Sequence, residues 1–332
     1  MSFQGIVGHA RQIELLRRAI RNGSLHHALL ITGIRGVGKK TMARALARGL
    51  VCQDPATGDA CGQCPACRKF DRGVHPDVYE VLPDGKFMKI EQIREIKRKL
   101  LFHPVLGEHR VFLVFEAQHM NRDAANALLK SLEEPPPGNY LILTSPDDRA
   151  LLPTIVSRCQ RIDLSPLPDR TVEDFLAART DVRKSEAAEM AKLCGGSLGR
   201  AMEANAAEKD PATSFSHRRN EVILQLQQLK NNGIRTNLLL AKTWSNEQSE
   251  ADELFDIFRF WLRDQLVSQY RGYRVQTGGP HHTSVGSKGQ EPLRPDRIYR
   301  MMDEVELASK ALRQNANKRL VFEVLLLRLA EA

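Results

Sequence analysis

Residues 31–43 read ITGIRGVGKKTMA, a G-x-x-x-x-G-K pattern at Gly33, Gly38 and Lys39. An apolar run, HALLITG, leads into it, and a helix-period stretch, KTMARALARGLV, follows. Strand, glycine loop and helix in that order form a cradle for phosphate. Gly33, Gly36 and Gly38 let backbone N–H groups converge on phosphate oxygens, and the start of the helix adds partial positive charge. Lys39 has the reach to meet terminal phosphates. The next position of such a loop carries a Ser or Thr hydroxyl for magnesium, and this chain has Lys40 there. Thr41 lies one residue on, roughly 100° further round the helix, so it does not take over that role. The candidate nucleotide residues are therefore Gly33, Gly36, Gly38, Lys39 and Thr41, in a site lacking its usual metal ligand. A tight strand-to-helix turn that holds no nucleotide stays open as the other reading.

Further strand-like runs follow, DVYEVLP, RVFLVFEA, NYLILTSP and QRIDL, with amphipathic stretches IEQIREIKRKLL and AANALLKSLEE between them. Strands alternating with helices of this length pair in parallel, so the first half is an α/β domain. In nucleotide-hydrolysing proteins of this build, one strand ends in an aspartate that holds magnesium. The run RVFLVFEAQHM instead gives Phe115 and then Glu116. Two changes, one on each side of the expected metal, argue against hydrolysis. Glu116 alone reads more readily as an ordinary strand-end residue than as a catalytic one.

From Pro166 the strand signal stops, and TVEDFLAAR, KSEAAEMAKLCGG and GRAMEANAAEK read as short helices. The expected organisation is an α/β domain over 1–165, a small helical domain over 166–208 and an all-α bundle over 209–332. Within the last, residues 274–295 are rich in Gly, Ser, His and Pro and are expected to form a mobile loop. The 332 residues, 42% of them hydrophobic, suffice for several cores. A net charge of +9 favours a polyanionic partner such as nucleic acid. No run of about 18 apolar residues occurs, and the N-terminus lacks a signal-peptide profile. The expectation is a cytoplasmic protein with reduced thiols.

Cys52, Cys61, Cys64 and Cys67 follow the pattern C-x8-C-x2-C-x2-C. Four thiolates at this spacing can enclose one tetrahedral zinc with no open position, a structural rather than catalytic centre. An iron–sulfur cluster and uncoordinated thiols stay open. Cys159 and Cys194 stand apart and read as small buried hydrophobes. His75-Pro76-Asp77 leads into a strand, and no second His lies at ligand spacing. The acids of SLEEPPPG end a helix ahead of three prolines.

The glycine loop, the four-cysteine module behind it, and then HPDVYEVLPDG, IEQIREIKRKL, NALLKSLEEPP and LLPTIVSRC together resemble the bacterial clamp-loader proteins of the AAA+ family, over roughly residues 3–205. The resemblance implies an α/β P-loop (AAA+) domain with a parallel sheet, a small helical lid and a C-terminal all-α collar. It implies a hetero-pentamer with the gamma/tau ATPases and delta, which places a sliding clamp on primed DNA as part of a polymerase holoenzyme. It implies structural Zn2+, and ATP or ADP as the nucleotide of the loop. Arg158 in SRC matches the arginine that reaches a neighbour's ATP site, where a guanidinium stabilises the transferring phosphoryl group. Arg200 matches the lid arginine that contacts nucleotide, and Thr144 and Ser145 lie where the family senses phosphate. The degenerate loop points to a member that does not hydrolyse ATP. An active motor ATPase and a zinc-stabilised nucleic-acid adaptor are the rival readings.

Overall fold

Ala28–Thr32 (β1) is buried at every residue. It lies inside a sheet completed by Val78–Val81 (β2), Arg110–Val114 (β3), Asn139–Ser145 (β4) and Gln160–Asp163 (β5). The order is β2-β3-β4-β1-β5, and every pairing is parallel. β1 is in register with β4 through Ala28 and Leu141, and with β5 through Leu29 and Gln160. In this computed structural model the described residues are 2–55, 57–85, 87–179, 184–207, 215–246, 251–271, 293–313 and 316–331.

Parallel strands need crossovers, and helices supply them. Ala10–Arg21 (α1) precedes β1, and Lys39–Leu50 (α2) and the short Pro65–Asp71 (α3) follow it. Ile90–Leu100 (α4) joins β2 to β3, Arg122–Glu133 (α5) joins β3 to β4, and Pro153–Val156 (α6) precedes β5. Alternate residues of each strand enter opposite cores. Leu29, Ile31, Val111, Leu113 and Ile142 pack with Met42 and Leu46 of α2. Leu30, Phe112, Val114, Leu141 and Leu143 pack with Ile93, Ile96, Leu128 and Leu132 of α4 and α5. Burial on both faces explains why β1 and β3 carry consecutive apolar residues, 28–31 and 111–114, rather than alternating ones.

Three short helices follow the sheet: Asp169–Arg179 (α7), Lys184–Leu193 (α8) and Leu198–Ala207 (α9). The chain divides into two units, Met1–Met202 and Glu203–Ala332, with the boundary inside α9. The second unit is helical: Phe215–Gln228 (α10), Ile234–Asn246 (α11), Ala251–Arg271 (α12), Pro295–Arg313 (α13) and Lys318–Glu331 (α14). Its core gathers Trp244, Phe255, Phe258, Trp261 and Phe322. α14 contacts both α11 and α13, which accounts for its many apolar positions. Of the Gly/Ser/His-rich segment 274–295, residues 274–292 lie outside the described residues, and Pro295 opens α13, where a missing N–H costs nothing. Among the described residues no helix is long and apolar enough to cross a membrane.

One buried ion pair fixes the edge of the sheet. Arg110 Nη2 lies 3.1 Å from Asp77 Oδ1, and Asp77 is fully buried. Arg110 also donates to the carbonyls of Lys99, Phe102 and His103, at 2.6, 2.5 and 2.6 Å. Asp77 accepts from the N–H groups of Val105 (2.7 Å) and Leu106 (2.8 Å). Both side chains thus hold the turn after α4, which presents Leu101, Phe102 and Val105 at 78%, 68% and 73% exposure. Removing one partner leaves a buried charge uncompensated. Arg110→Met is expected to lower unfolding free energy by about 3–5 kcal/mol, read by urea denaturation.

Candidate functional site

At the end of β1 the backbone turns through Gly33, Gly36 and Gly38, with φ of 145°, 75° and 111°. At Gly36 the requirement is also steric, because an added Cβ would lie 2.3 Å from Ser197 Oγ and 3.0 Å from Gly199 Cα. The start of α9 rests directly on the loop here. Gly199 N–H donates to Gly36 O at 2.8 Å, and Ser197 Oγ donates to Arg35 O at 2.8 Å. Arg200, buried, donates its backbone N–H to the same Ser197 Oγ at 3.2 Å. Lys39, the first residue of α2, donates from Nζ to Gly33 O (2.6 Å) and Ile34 O (2.9 Å). Thr41 follows on α2 and is half-buried. Through Ser197 and Gly199, the backbone at Arg200 lies next to the loop that carries Lys39.

The metal side of this loop is occupied by protein charge. Lys40 Nζ lies 2.5 Å from Glu116 Oε1 and 5.7 Å from the centre of the Phe115 ring. Arg44, one helical turn on, lies 5.2 Å from the same ring and pairs through two nitrogens with Glu80, at 2.7 and 2.6 Å. Phe115 is fully buried. Glu116 turns out of β3 in the left-handed region, φ 56°, where a non-glycine residue carries strain. Its N–H donates to Thr144 Oγ1 at 3.0 Å, which supports that turn from the end of β4. Ser145 Oγ donates to Asp147 O at 2.7 Å. Partial burial pushes the Glu116 carboxyl up, but the hydrogen bond and charge of Lys40 outweigh it and hold it below its ordinary value.

Arg158 lies two residues past the end of α6. Its Nε donates to Glu133 Oε1 at 2.5 Å, Nη2 pairs with the same carboxylate, and Nη1 donates to Thr154 O at 2.9 Å. The side chain is a third exposed. It therefore caps the short α6 and stands at the surface, with Glu133 fixing its plane. The sequence reading passed over Glu133 as a helix end, and α5 does end there.

The four cysteines converge. Sγ atoms of Cys52, Cys61, Cys64 and Cys67 all lie within 4.8 Å of one another, against about 3.8 Å for the edge of a tetrahedron of sulfurs around zinc. Cys61 N–H donates to Cys52 Sγ and Cys67 N–H to Cys64 Sγ, both at 3.3 Å. Cys64 is the N-cap of α3, with Pro65 next. Burial raises the Cys64 thiol, but the N–H groups of Cys67 and Gln53 and its neighbouring thiols bring it down to about 6. Burial pushes the Cys52 and Cys67 thiols up. Four soft donors in this arrangement can hold a metal ion. Arg48, at the end of α2, reaches Asp71 of α3 at 2.6 Å and ties the module to the phosphate-loop helix. Cys194 is buried, and burial pushes the Cys159 thiol up to about 12, so Cys159 has no thiolate character near neutrality.

A parallel sheet in the order β2-β3-β4-β1-β5, a glycine loop between β1 and α2, and a small helical element docked on that loop define a P-loop module of the AAA+ class. Residues 8–168 match the family model described as DNA polymerase III, delta subunit. The chain is 32% identical over 313 residues to DNA polymerase III subunit delta' of Pseudomonas aeruginosa, covering 92% of each. It is 36% identical over 175 residues to DNA polymerase III subunit gamma of Buchnera aphidicola, covering 52% of this chain and 48% of that protein. A DNA polymerase III gamma subunit-related protein from Thermotoga maritima aligns over 96% of this chain and 99% of its own, at 20% identity and a TM-score of 0.44. The chain belongs to the DNA polymerase III delta' subunit family.

The Lys40–Glu116 pair has a pH signature. Because the folded carboxyl sits below its unfolded value, its stabilisation is full above the unfolded value and is lost as pH falls through the folded one. Both partners are about 40% exposed, so screening limits the effect to about 0–1 kcal/mol. Glu116→Gln is expected to lower the melting temperature slightly at neutral pH and by less in acid below the ordinary carboxylate range, in thermal melts at matched ionic strength.

Proposed function

We propose that this chain is a stationary, non-hydrolysing clamp-loader subunit that donates Arg158 to the ATP site of a neighbouring subunit. The observation that carries the reading is the metal side of its own loop, where Lys40 and Phe115 stand in place of a hydroxyl and a carboxylate and Lys40 pairs with Glu116. Hydrolysis needs a metal to neutralise charge on the phosphates and an ordered water. Neither the ligands nor a free carboxylate base is available at these positions. The loop with Gly33, Gly36, Gly38, Lys39, Thr41 and Arg200 is then at most a passive nucleotide site. Residues 1–165, 166–208 and 209–332 serve as nucleotide-binding-like domain, lid and collar.

Its partners in this reading are the gamma/tau ATPases and delta in a hetero-pentamer, with the sliding clamp and primed DNA reached through the assembly. Support for an in-trans role comes from the exposure of Arg158 and the fixed plane of its guanidinium. A net charge of +9 suits contact with DNA phosphates. The exposed turn of Leu101, Phe102 and Val105 is an apolar patch of the kind a protein partner covers. The four-cysteine centre holds structural Zn2+ in this reading.

Reconstituting the loader with Arg158→Ala tests the central claim. ATP turnover at the site that Arg158 reaches is expected to fall by about a thousandfold, so total turnover drops by that site's share and clamp loading fails. Unchanged turnover and loading would remove the in-trans role, and hydrolysis by the isolated chain that is lost on Lys39→Ala would replace it with the motor reading. For the metal, one zinc per chain is expected after purification under reducing conditions. Cys67→Ser should lose it and expose residues 52–71 to protease, because zinc contributes on the order of 10 kcal/mol to such a module.

A further inference from the structure

A hydrolysing P-loop site places a divalent cation among three groups: the hydroxyl after the loop lysine, the aspartate ending the neighbouring strand, and the phosphates. The residues present here do not fit that ion. The first position is Lys40 and the second is Phe115, whose buried ring offers no oxygen. The carboxylate that remains, Glu116, is already engaged by an ammonium at 2.5 Å.

The two changes are linked by charge. A dication beside an aspartate and a glutamate is balanced by the two carboxylates. In this chain the Lys40 ammonium pairs with Glu116, Arg44 over the Phe115 ring pairs with Glu80, and the second acid has become an aromatic ring that carries no net charge and attracts a cation through its face. Lys40 alone would have left an excess acid beside it, and Phe115 alone would have left a dication under-ligated. Together they exchange a metal ion for a side chain at the same net charge. Glu116 stays in its left-handed turn, held by Thr144 Oγ1. Lys40 sits at the first turn of α2, directly after the lysine of the phosphate loop.

We infer that Lys40 is a built-in replacement for the divalent cation, so that the loop binds the phosphates of a nucleoside diphosphate or triphosphate without magnesium. This deepens the reading of a passive, non-hydrolysing site and rests on it. Lys39, the glycine N–H groups and the start of α2 contact the phosphates, and Lys40 supplies the counter-charge that the ion supplies elsewhere.

The test is calorimetric titration of the full chain with ADP, once in excess EDTA and once in excess magnesium, with manganese resonance spectra as a direct readout of bound metal. The wild-type chain is expected to bind ADP equally in both media and to hold no manganese beyond that carried by free ADP. Lys40→Thr should lose about tenfold or more in EDTA, and Lys40→Arg should keep metal-free binding. The double variant Lys40→Thr/Phe115→Asp should bind ADP in a magnesium-dependent way and give a protein-bound manganese signal, while Phe115→Asp alone should not. A tenfold gain on adding magnesium to the wild type, or undiminished binding by Lys40→Thr in EDTA, would overturn the inference. Absence of ADP binding in either medium would overturn it too, while leaving the non-hydrolysing reading standing. Magnesium-dependent hydrolysis by the wild-type chain would defeat both.

Discussion

Burial of β1 on both faces is the constraint from which the site follows. A strand with no exposed side chain needs neighbours on both edges and cover on both faces, and β1 has them in β4, β5 and the helices on each side. All five strands then end along one edge, and that edge collects whatever follows each strand. It brings the glycine loop after Thr32 beside Glu116 after β3 and Thr144 within β4. Thr32 Oγ1 also pairs with Asp163 at the end of β5, so the edge is cross-linked by side chains as well as by the ladder. The loop's position is a consequence of packing, and its chemistry depends on which residues the edge receives.

The parts of this arrangement that were legible in the sequence are those written locally. Glycine spacing, apolar runs of strand length and the cysteine pattern each lie within a few residues, so the loop, the five strands and the four convergent thiols could be read directly. The pairings that give the site its character join distant residues. Lys40 and Glu116 are 76 positions apart, Asp77 and Arg110 are 33, and Glu133 and Arg158 are 25. No periodicity encodes them. Glu116 read as an ordinary strand-end acid because its partner is supplied by α2, and Asp77 read as part of a loop because its partner opens β3. A faint signal existed: Lys40 and Phe115 departed from the expected pattern in compensating senses of charge.

The start of α9 illustrates the same limit. Nothing in GGSLGRA announces that Ser197 and Gly199 lie on Arg35 and Gly36, yet this contact explains why Gly36 tolerates no side chain as well as why its backbone is left-handed. The glycine of a phosphate loop is usually explained by the approach of a phosphate. In this chain the approach of another backbone is an independent and sufficient reason for it. The cysteine module is likewise anchored by a distant pair, since Arg48 joins the end of α2 to Asp71 in α3. One helix therefore carries the phosphate loop at its start and the metal-capable centre just past its end.

In the proposed reading this layout separates charge balance at the chain's own loop from an arginine offered to another chain. At the chain's own loop Lys40 pairs with Glu116, while Arg158 after α6 pairs with Glu133. An arginine offered to another chain needs only exposure and a fixed plane, and Glu133 with Thr154 provides the second without using the loop at all. Loss of the metal ligands at one site therefore places no constraint on retention of the arginine at the other. The guanidinium's pairing with Glu133 is partly exposed and hence weak, on the order of 0–1 kcal/mol, so a phosphate that forms stronger charge-assisted bonds can draw on its remaining donor or displace the carboxylate.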